Sequence, residues 1–495
     1  MRRILYLPIA LIAYWALAQN APAPLASLFP AGAMVYLEAR DFSALVRDWD
    51  ASAEKAAWLQ SANYAAFSRS RLFLKLGEAR KEFASAAGVP VDYAMAGAVA
   101  GRESAIAVYQ IGDLEFLYVT RLGASRTIDT VLWKARGSYQ SRRAGGIDYF
   151  VKEDAATHRV AAFAVSGDML LLASKEELIA GTLELMARAQ RPAVAAEKWF
   201  QDATAAAGPA GELRLVYNLE RLESAPHFRS YWIQRNASAL KEFSAGVTDL
   251  DRARSEIRER RILLREKAAP AVTEESPAGQ LLAMVPDDAG FYRVRMNPGD
   301  EAPRAIRYRF FSVAGGGVVA SGGGDELETR IDVEPLVRDA VEVKLSGRVD
   351  AMLEVARSEV SGELVGTRSA VALIGDGLAL EAPDLVVVNR GRFLIAGDSQ
   401  ALVDAVAARI GRAPAVGVAY AATWRHSREL ANFEKMMRLI DFPQIPAGLD
   451  EREPMFFSEN VASLGRVLRR VESASMEVHD AGSALRESVV YRIAP

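Results

Sequence analysis

The chain has 495 residues, of which 51% are hydrophobic and 25% are charged; this is the composition of a globular protein with two or three domains. It contains no cysteine, which excludes disulfides and thiolate metal sites. With 63 acidic against 60 basic residues the formal net charge is −3, which argues against a nucleic-acid partner.

The N-terminus has the pattern of an export signal. Arg2 and Arg3 precede an apolar run over 4–17, and Ala16-Leu17-Ala18 is a small-x-small cleavage motif. The run is shorter than the roughly 20 residues that a membrane span requires. We therefore predict a signal peptide over 1–18, cleavage after Ala18 and a periplasmic or secreted protein without a membrane span in the mature chain. A retained N-terminal anchor is the alternative, and without cysteine it cannot be a lipoprotein anchor.

The next elements alternate between strands and helices. Pro30-Ala31 leads into a strand over 34–38, and Asp41 is placed to cap a helix. A longer helix is predicted where apolar residues recur with a helical period before Gly88 and Pro90. These residues are Leu72, Leu76, Ala79, Phe83 and Ala86. Strands over 105–111 and 114–121 follow, joined by Gly112-Asp113.

Residues 160–189 predict a strand, a glycine turn, a second strand and a helix. Strands Ala161–Val165 and Met169–Ala173 flank Ser166-Gly167-Asp168, a hairpin pattern. Ser174 precedes Glu177 by three residues, which is the spacing of a capping box at the start of the helix.

The same unit recurs at 385–413, where Gly391 takes the place of Gly167 and Asp398 is the expected N-cap. Four further segments repeat in the same order. These pairs are 28–38 with 284–294, 101–107 with 366–372, 213–217 with 416–420, and 257–259 with 485–487. We therefore predict a tandem duplication. The first α+β copy spans 25–267, a proline-containing linker spans 268–279, and the second copy, with a β-rich insert, spans 280–495.

The predicted fold class is α+β, with two tandem related lobes that each consist of an antiparallel sheet backed by helices. The opening from Pro30-Ala31 through Tyr36-Leu37-Glu38 to Asp41 resembles an uncharacterised family of exported bacterial proteins, which begin with a Pro-Ala turn, a short strand and amphipathic helices. The resemblance covers most of the first copy and, more loosely, the second. It implies export and this architecture, and it implies no catalytic or binding residue.

Catalytic patterns are sparse. Ser52 and Lys55 fit the S-x-x-K pattern of serine penicillin-binding enzymes, and Ser238 and Lys241 fit it as well, but the companion S-D-N and K-T-G segments are absent. Ser52 is equally well placed as a helix N-cap, and the acidic residues around Lys55 favour a protonated amine. We therefore predict a structural role for this pair.

Other binding patterns are no stronger. His158, His227, His426 and His479 are far apart and lack the spacing of a zinc helix. The glycines near 315–317 and 322–324 lack the lysine and helix of a phosphate-binding loop. Arginines over 252–267 alternate with glutamates, which is typical of a charged strand face. The sequence thus indicates no catalytic, cofactor-binding or metal-binding residue and no cofactor, although a carboxylate pair for glycoside hydrolysis stays open.

The favoured function is a non-catalytic envelope protein that binds an envelope protein or a ligand. A hydrolase of cell-wall or polysaccharide material is the second hypothesis, and a carrier of an apolar ligand is the third. A cleft with convergent carboxylates or a Ser–Lys contact would favour the enzyme. An apolar cavity would favour the carrier, and a broad exposed apolar patch would favour the interaction module.

Overall fold

The computed structural model describes residues 24–69, 71–226, 240–272, 276–296, 400–426 and 470–494, together with eight strands between 306 and 397. The predicted signal peptide, His227, Ser238 and Asp398 lie outside the described residues. The α+β fold class is confirmed, since helices pack on antiparallel sheets. The chain divides into two compact units. Unit 1 comprises Met1–Val46, Leu76–Ala205 and Leu215–Ala237; unit 2 comprises Arg47–Lys75, Ala206–Arg214 and Ser238–Pro495.

The helices are mostly short. They are α1 (Phe42–Ala51), α2 (Ala53–Leu59), α3 (Ala62–Ser68), α4 (Arg71–Ala87), α5 (Tyr93–Val99), α6 (Ala124–Thr127), α7 (Val131–Ala135), α8 (Glu176–Met186), α9 (Lys198–Ala207), α10 (Leu219–Ser224), α11 (Pro277–Leu282) and α12 (Gln400–Ala407). The long helix predicted before Gly88 is confirmed as α4. It ends because Gly88 adopts a φ of 65°, a left-handed conformation that glycine reaches without strain.

Unit 1 contains eight described strands of an antiparallel sheet. They are β1 (Val35–Ala39), β2 (Ser104–Gln110), β3 (Glu115–Arg121), β4 (Gln140–Ala144), β5 (Ile147–Glu153), β6 (Val160–Ser166), β7 (Met169–Ala173) and β8 (Leu213–Asn218). Their spatial order is β8-β1-β2-β3-β7-β6-β5-β4. Strand β7 lies in the middle of this sheet, and all five of its residues are buried. A strand buried on both faces reads as a continuous apolar run, as Met169–Ala173 does.

An aromatic cluster forms the centre of the unit 1 core. Phe163 is fully buried and stacks on Phe150 with ring centroids 5.1 Å apart. The ring of Tyr139 meets Phe163 edge-on, also at 5.1 Å. Such stacked and edge-on pairs add roughly 0.5–1.5 kcal/mol each beyond the area that they bury. The cluster therefore fixes β5 and β6 against each other.

The predicted hairpin at Gly167 is confirmed, but the capping box after it is wrong. Gly167 has a φ of 59° in the turn between β6 and β7. The N-cap of α8 is Lys175, which makes no side-chain capping bond. The hydroxyl of Ser174 instead accepts a hydrogen bond from the Phe116 N–H and donates one to the Leu114 carbonyl. The Ser174 hydroxyl thus bonds to the backbone at the start of β3 and does not cap the helix that follows Ser174.

The described part of unit 2 contains ten strands that pair antiparallel in succession and a separate sheet of four strands. The ten strands are β9 (Phe243–Ala253), β10 (Glu256–Arg265), β11 (Phe291–Met296), β15 (Ala340–Leu345), β16 (Ala351–Ala356), β18 (Val386–Arg390), β19 (Phe393–Gly397), β20 (Val418–Arg425), β21 (Val471–Asp480) and β22 (Ala484–Ile493). Their spatial order is β9-β10-β22-β21-β20-β11-β16-β15-β19-β18. The smaller sheet consists of β12 (Ile306–Arg309), β13 (Gly317–Gly323), β14 (Glu326–Val333) and β17 (Arg368–Leu373).

The core of unit 2 uses a helix from the segment expected to be a linker. Ser276 caps α11 by accepting a hydrogen bond from Gly279 N–H, and Pro277 occupies its first turn. Ala278 and Leu281 are fully buried with Leu402 of α12. The end of the 268–279 segment therefore belongs to a packed core, which its proline content did not indicate.

The strand orders bear on the duplication hypothesis. In unit 1 the succession β8-β1-β2-β3-β7-β6 matches β20-β11-β16-β15-β19-β18 of unit 2 place by place, with the antiparallel pairs β7–β6 and β19–β18 at equivalent ends. The match has one difference, which concerns the chain order of the two central strands. In unit 1 the strand beside β1 is β2, which precedes its partner β3 in the chain. In unit 2 the strand beside β11 is β16, which follows its partner β15. The proposed equivalence of 101–107 with 366–372 is wrong, since β17 pairs with β14 in the separate sheet. The duplication therefore stays a prediction.

Candidate functional site: an apolar pocket in unit 1

Helix α4 forms one wall of a pocket in unit 1. Leu76, Ala79, Arg80 and Phe83 follow one another at helical spacing and line it. Phe83 is only 9% exposed, whereas Leu76 is 46% exposed. The face of α4 that lines the pocket is therefore buried at Phe83 and exposed at Leu76. The apolar stripe that predicts this helix is thus only partly a core face.

Helix α5 forms the second wall. Asp92 caps it, since one carboxylate oxygen accepts a hydrogen bond from the Met95 N–H at 2.9 Å. Met95 and Val99 are buried, and Ala96, which is exposed, also lines the pocket. At the other end of the helix Arg126 donates hydrogen bonds to the carbonyls of Ala98 and Ala100 at 3.2 and 3.3 Å. Both ends of this seven-residue helix are therefore held in place.

The sheet supplies the floor through Ile106 of β2, Phe116 and Tyr118 of β3, and Leu172 of β7. The rings of Phe83 and Phe116 lie 5.3 Å apart, so the α4 wall contacts the floor directly. The Tyr118 hydroxyl donates a hydrogen bond to the Val99 carbonyl at 2.9 Å, which ties the floor to α5. Burial raises the pKa of this phenol, so it stays protonated and keeps that bond at any ordinary pH.

The volume of the pocket is about 330 Å³, near the lower limit of the roughly 300–1,000 Å³ found for small-molecule sites. Most of its lining is aliphatic or aromatic. Of the described residues that line it, those with charged side chains are Arg80, Asp92, Asp113 and Arg159. An apolar interior with a few polar groups is the usual form of a ligand-binding pocket.

Arg159 closes one side of the pocket. Its guanidinium donates a hydrogen bond to the Glu82 carboxylate of α4 at 2.8 Å and another to the Asp113 carbonyl at 2.5 Å. The Asp113 carboxylate lies 3.8 Å from the same guanidinium. Arg159 thereby joins α4 to the turn between β2 and β3. Its positive charge is shared between two carboxylates.

The pocket offers no recognisable catalytic pair. The hydroxyls of Ser174 and Tyr118 are engaged with backbone groups, as described above, and no histidine is among the described lining residues. The carboxylates do not converge on a common partner atom, since Asp92 caps a helix and Asp113 faces Arg159. A hydroxyl nucleophile requires a base within hydrogen-bond reach, and the described residues provide none here. The arrangement is suited to holding an apolar group.

The S-x-x-K pair is placed elsewhere and has a structural geometry. Ser52 is confirmed as the N-cap of α2, because its hydroxyl accepts a hydrogen bond from the Lys55 N–H at 3.1 Å and donates one to the Trp49 carbonyl. The Lys55 ammonium forms an ion pair with Asp50. An acidic partner favours the charged amine, so Lys55 is not a base for Ser52. Of the second pair, Lys241 is described and Ser238 is not.

Two of the described histidines lie beside carboxylates close to them in the sequence. His158 lies 3.0 Å from the Glu153 carboxylate, and His479 lies 3.6 Å from Glu477. Within the described ranges no group of three or more histidine, aspartate or glutamate side chains is arranged to hold a metal ion. In the same part of the chain no helix is both long and apolar enough to cross a membrane.

The sequence patterns described above do not predict this pocket. The apolar stripe of α4 is typical of a helix face buried in a core, and no helix is predicted at the position of α5. Two signals could have indicated it. Asp92 followed by Met95 and Val99 is a short capped helix with one apolar face. Ala79 and Ala96 place small side chains on both walls, among larger apolar residues, which leaves room between the helices.

Comparisons with known proteins give little more. No protein-family model matches the chain, and no curated protein matches it either. Among solved structures it is similar to TP0453 in two crystal forms, each at 13% identity and a TM-score of 0.26. These matches cover 51% and 50% of this chain and 82% and 81% of TP0453. At this TM-score the similarity carries no argument about fold or function.

Proposed function

We propose that the protein is an exported, non-catalytic binding protein that holds an apolar small molecule in the unit 1 pocket. The observation that carries this proposal is the pocket itself, about 330 Å³ in volume and lined mostly by aliphatic and aromatic side chains. The proposal combines two of the hypotheses drawn from the sequence, the ligand-binding module and the carrier of an apolar ligand, because this pocket would serve both.

The energetics favour occupation by an apolar group. Removing apolar surface from water stabilises a complex by roughly 25 cal/mol per Å². In this protein the helices that form the pocket walls are held in place without a ligand. Helix α4 is bonded to the β2–β3 turn through Arg159, and α5 is capped at both ends. A pre-formed site loses little conformational entropy on binding, so more of the gain from burial appears as affinity.

Export is the second part of the proposal. It rests on the charged start, the short apolar run and the Ala16-Leu17-Ala18 motif, and on the resemblance of the segment from Pro30 to Asp41 to exported bacterial proteins.

The binding function is tested with a neutral apolar fluorophore, N-phenyl-1-naphthylamine, titrated into the full-length protein. We expect saturable binding, and at least a tenfold loss of affinity in Ala96→Phe, which places a ring in the pocket. Ala94→Phe is the matched control, because Ala94 lies on the same helix, is exposed and is not among the lining residues. Equal affinity in both variants, or no binding by the unchanged protein, would overturn the proposal.

A further inference from the structure

We infer that the ligand of the unit 1 pocket is a single-chain carboxylate of about a dozen carbon atoms whose head group pairs with Arg80. This inference rests on the proposed function and narrows it to a chemical class. It follows from three properties of the pocket: its volume, the position of Arg80 and the partners of the other charged residues that line it.

The volume sets the length of the chain. A cavity of roughly 150 Å³ lined by aliphatic and aromatic side chains admits one benzene molecule. The pocket is about 330 Å³, a little more than twice as large, and so has room for on the order of a dozen carbon atoms. One acyl chain of that length fits, whereas the two chains of a phospholipid do not.

Arg80 lies on the exposed part of the α4 face that lines the pocket. It follows Leu76 by four residues and precedes Phe83 by three, so all three share the face of α4 that lines the pocket. Phe83 is buried, whereas Arg80 and Leu76 are exposed. An acyl chain that enters past Leu76 with its methyl end leading leaves its head group beside Arg80.

Arg80 also differs from the other charged lining residues in its partners. Arg159 is shared by Glu82 and Asp113, and Asp92 accepts the capping hydrogen bond of α5. Among the residues that the structure describes, Arg80 forms no ion pair. A guanidinium presents a planar fork of donors that matches a carboxylate with two parallel hydrogen bonds. A monoanion also suits the site better than a dianion, because Asp92 and Asp113 repel additional negative charge.

The test compares ligands with the same chain and different head groups on the full-length protein, below their micellar concentrations, by displacement of N-phenyl-1-naphthylamine. The ligands are dodecanoate, dodecanol, dodecyl phosphate and dodecyltrimethylammonium. We expect dodecanoate to bind tightest, about fivefold more tightly than dodecanol, which is the ratio that roughly 1 kcal/mol of partly exposed ion pairing gives. The preference should shrink in 0.5 M salt because the ion pair is screened.

Two variants locate the effect. Arg80→Gln should lower the affinity for dodecanoate to that for dodecanol and leave the dodecanol affinity unchanged. Lys81→Gln is the matched control, since it removes the same charge from the next position of α4, which is not among the lining residues. It should change neither affinity.

The outcomes separate this inference from the proposed function. Tighter binding of dodecyltrimethylammonium or dodecyl phosphate, or equal binding of dodecanoate and dodecanol, would overturn the inference while pocket-dependent binding of the fluorophore still stands. The head-group comparison in the unchanged protein decides the matter even if a variant fails to fold. Chain length gives a further readout: affinity should rise about fourfold per added methylene and then level off near twelve carbons.

Discussion

Arg214 and Asp249 form a buried, doubly hydrogen-bonded ion pair, with both N···O distances at 2.7 Å and side chains only 6% and 2% exposed. The carboxylate also accepts a hydrogen bond from the Gly211 N–H, and the guanidinium donates one to the Gly208 carbonyl. Both carboxylate oxygens and the Nε and Nη2 groups of the guanidinium thus have partners, and a buried ion pair requires such additional hydrogen bonds.

Asp249→Ala should lower the free energy of unfolding by roughly 3–5 kcal/mol, since it leaves the Arg214 guanidinium buried without a counter-charge. The double variant Arg214→Met with Asp249→Leu should lose less than this, because it removes both charges and keeps apolar volume. Urea unfolding of the three proteins measures the difference. A double variant that loses as much as the single one would show that the uncompensated charge is not the cause.

Ser52→Ala should cost about 1 kcal/mol of stability, the usual loss of an N-cap, and should change no activity. The hydroxyl caps α2, and Lys55 is paired with Asp50. Urea unfolding gives the stability change. The absence of activity is checked by mass spectrometry after treatment with a β-lactam or a fluorophosphonate probe. Covalent labelling that disappears in Ser52→Ala would restore the hydrolase hypothesis.

Asp154 should make stability depend on pH in acid. The hydroxyl of Ser85, and after it the Thr157 backbone and hydroxyl, donate hydrogen bonds to its carboxylate and lower its pKa from 3.8 to about 2. Because the folded pKa lies below the unfolded one, this stabilisation is present above about pH 4 and disappears as the pH falls toward 2. Asp154→Asn should therefore be less stable than the unchanged protein at about pH 6 and equally stable near pH 2.

Urea midpoints across that pH range provide the measurement for Asp154→Asn. Ser85→Ala should show a smaller deficit with the same pH dependence, since it removes the largest of the contributing hydrogen bonds. Asp148→Asn is the control in β5, the strand that ends directly before Asp154; its carboxylate lies 3.6 Å from Arg143 and both side chains are largely exposed. A deficit in Asp154→Asn that persists unchanged near pH 2 would contradict the assignment.

Gly145 and Gly146 form the turn between β4 and β5 and offer a matched pair of substitutions. Both have a positive φ, 55° and 80°, so alanine at either position is strained. A Cβ on Gly145 would lie 2.2 Å from the Leu183 carbonyl oxygen, whereas one on Gly146 has nothing within 4 Å. Gly146→Ala should cost roughly 1–2 kcal/mol and Gly145→Ala clearly more, as measured by thermal unfolding. Equal losses would show that the turn moves away from α8 at little cost.

The N-terminus of the protein purified from its native host should be Gln19, because the small residues at 16 and 18 flank a cleavage site after Ala18. Edman degradation or mass spectrometry of the intact protein provides the measurement. As a control, Ala18→Arg should block processing and leave the chain about 18 residues longer by mass. A membrane-bound chain that still begins at Met1 would support the retained anchor instead.

Local patterns of the chain predicted the elements well where one periodicity dominates. The hairpin at Gly167 and helix α4 follow from alternating strands, a left-handed glycine and a helical apolar stripe. These signals depend on neighbouring residues only. The elements that they predict therefore form regardless of how the rest of the chain packs.

Predictions that depended on tertiary partners failed or were not made. Ser174 bonds to the backbone of β3, a strand about sixty residues earlier in the chain, instead of to its own helix. The segment around Ala278 contains proline and looked like a linker, yet it packs in the unit 2 core. The pocket depends on how two helices lie over a sheet, so the same stripe from Leu76 to Phe83 is compatible with a filled core or with an open site.

The pairing of β10 with β22 has a consequence for synthesis. Arg261 contacts Glu487, 226 residues later in the chain, and ribosomes add roughly 5–20 residues per second. One side of β10 therefore has no strand beside it for on the order of ten seconds or more after it is made. Exposed strand edges invite pairing with other chains, and charged side chains discourage it. The run Glu256-Ile257-Arg258-Glu259-Arg260-Arg261 is dense in charge, so the composition of this strand also protects the nascent chain from aggregation while its last partner is still being translated.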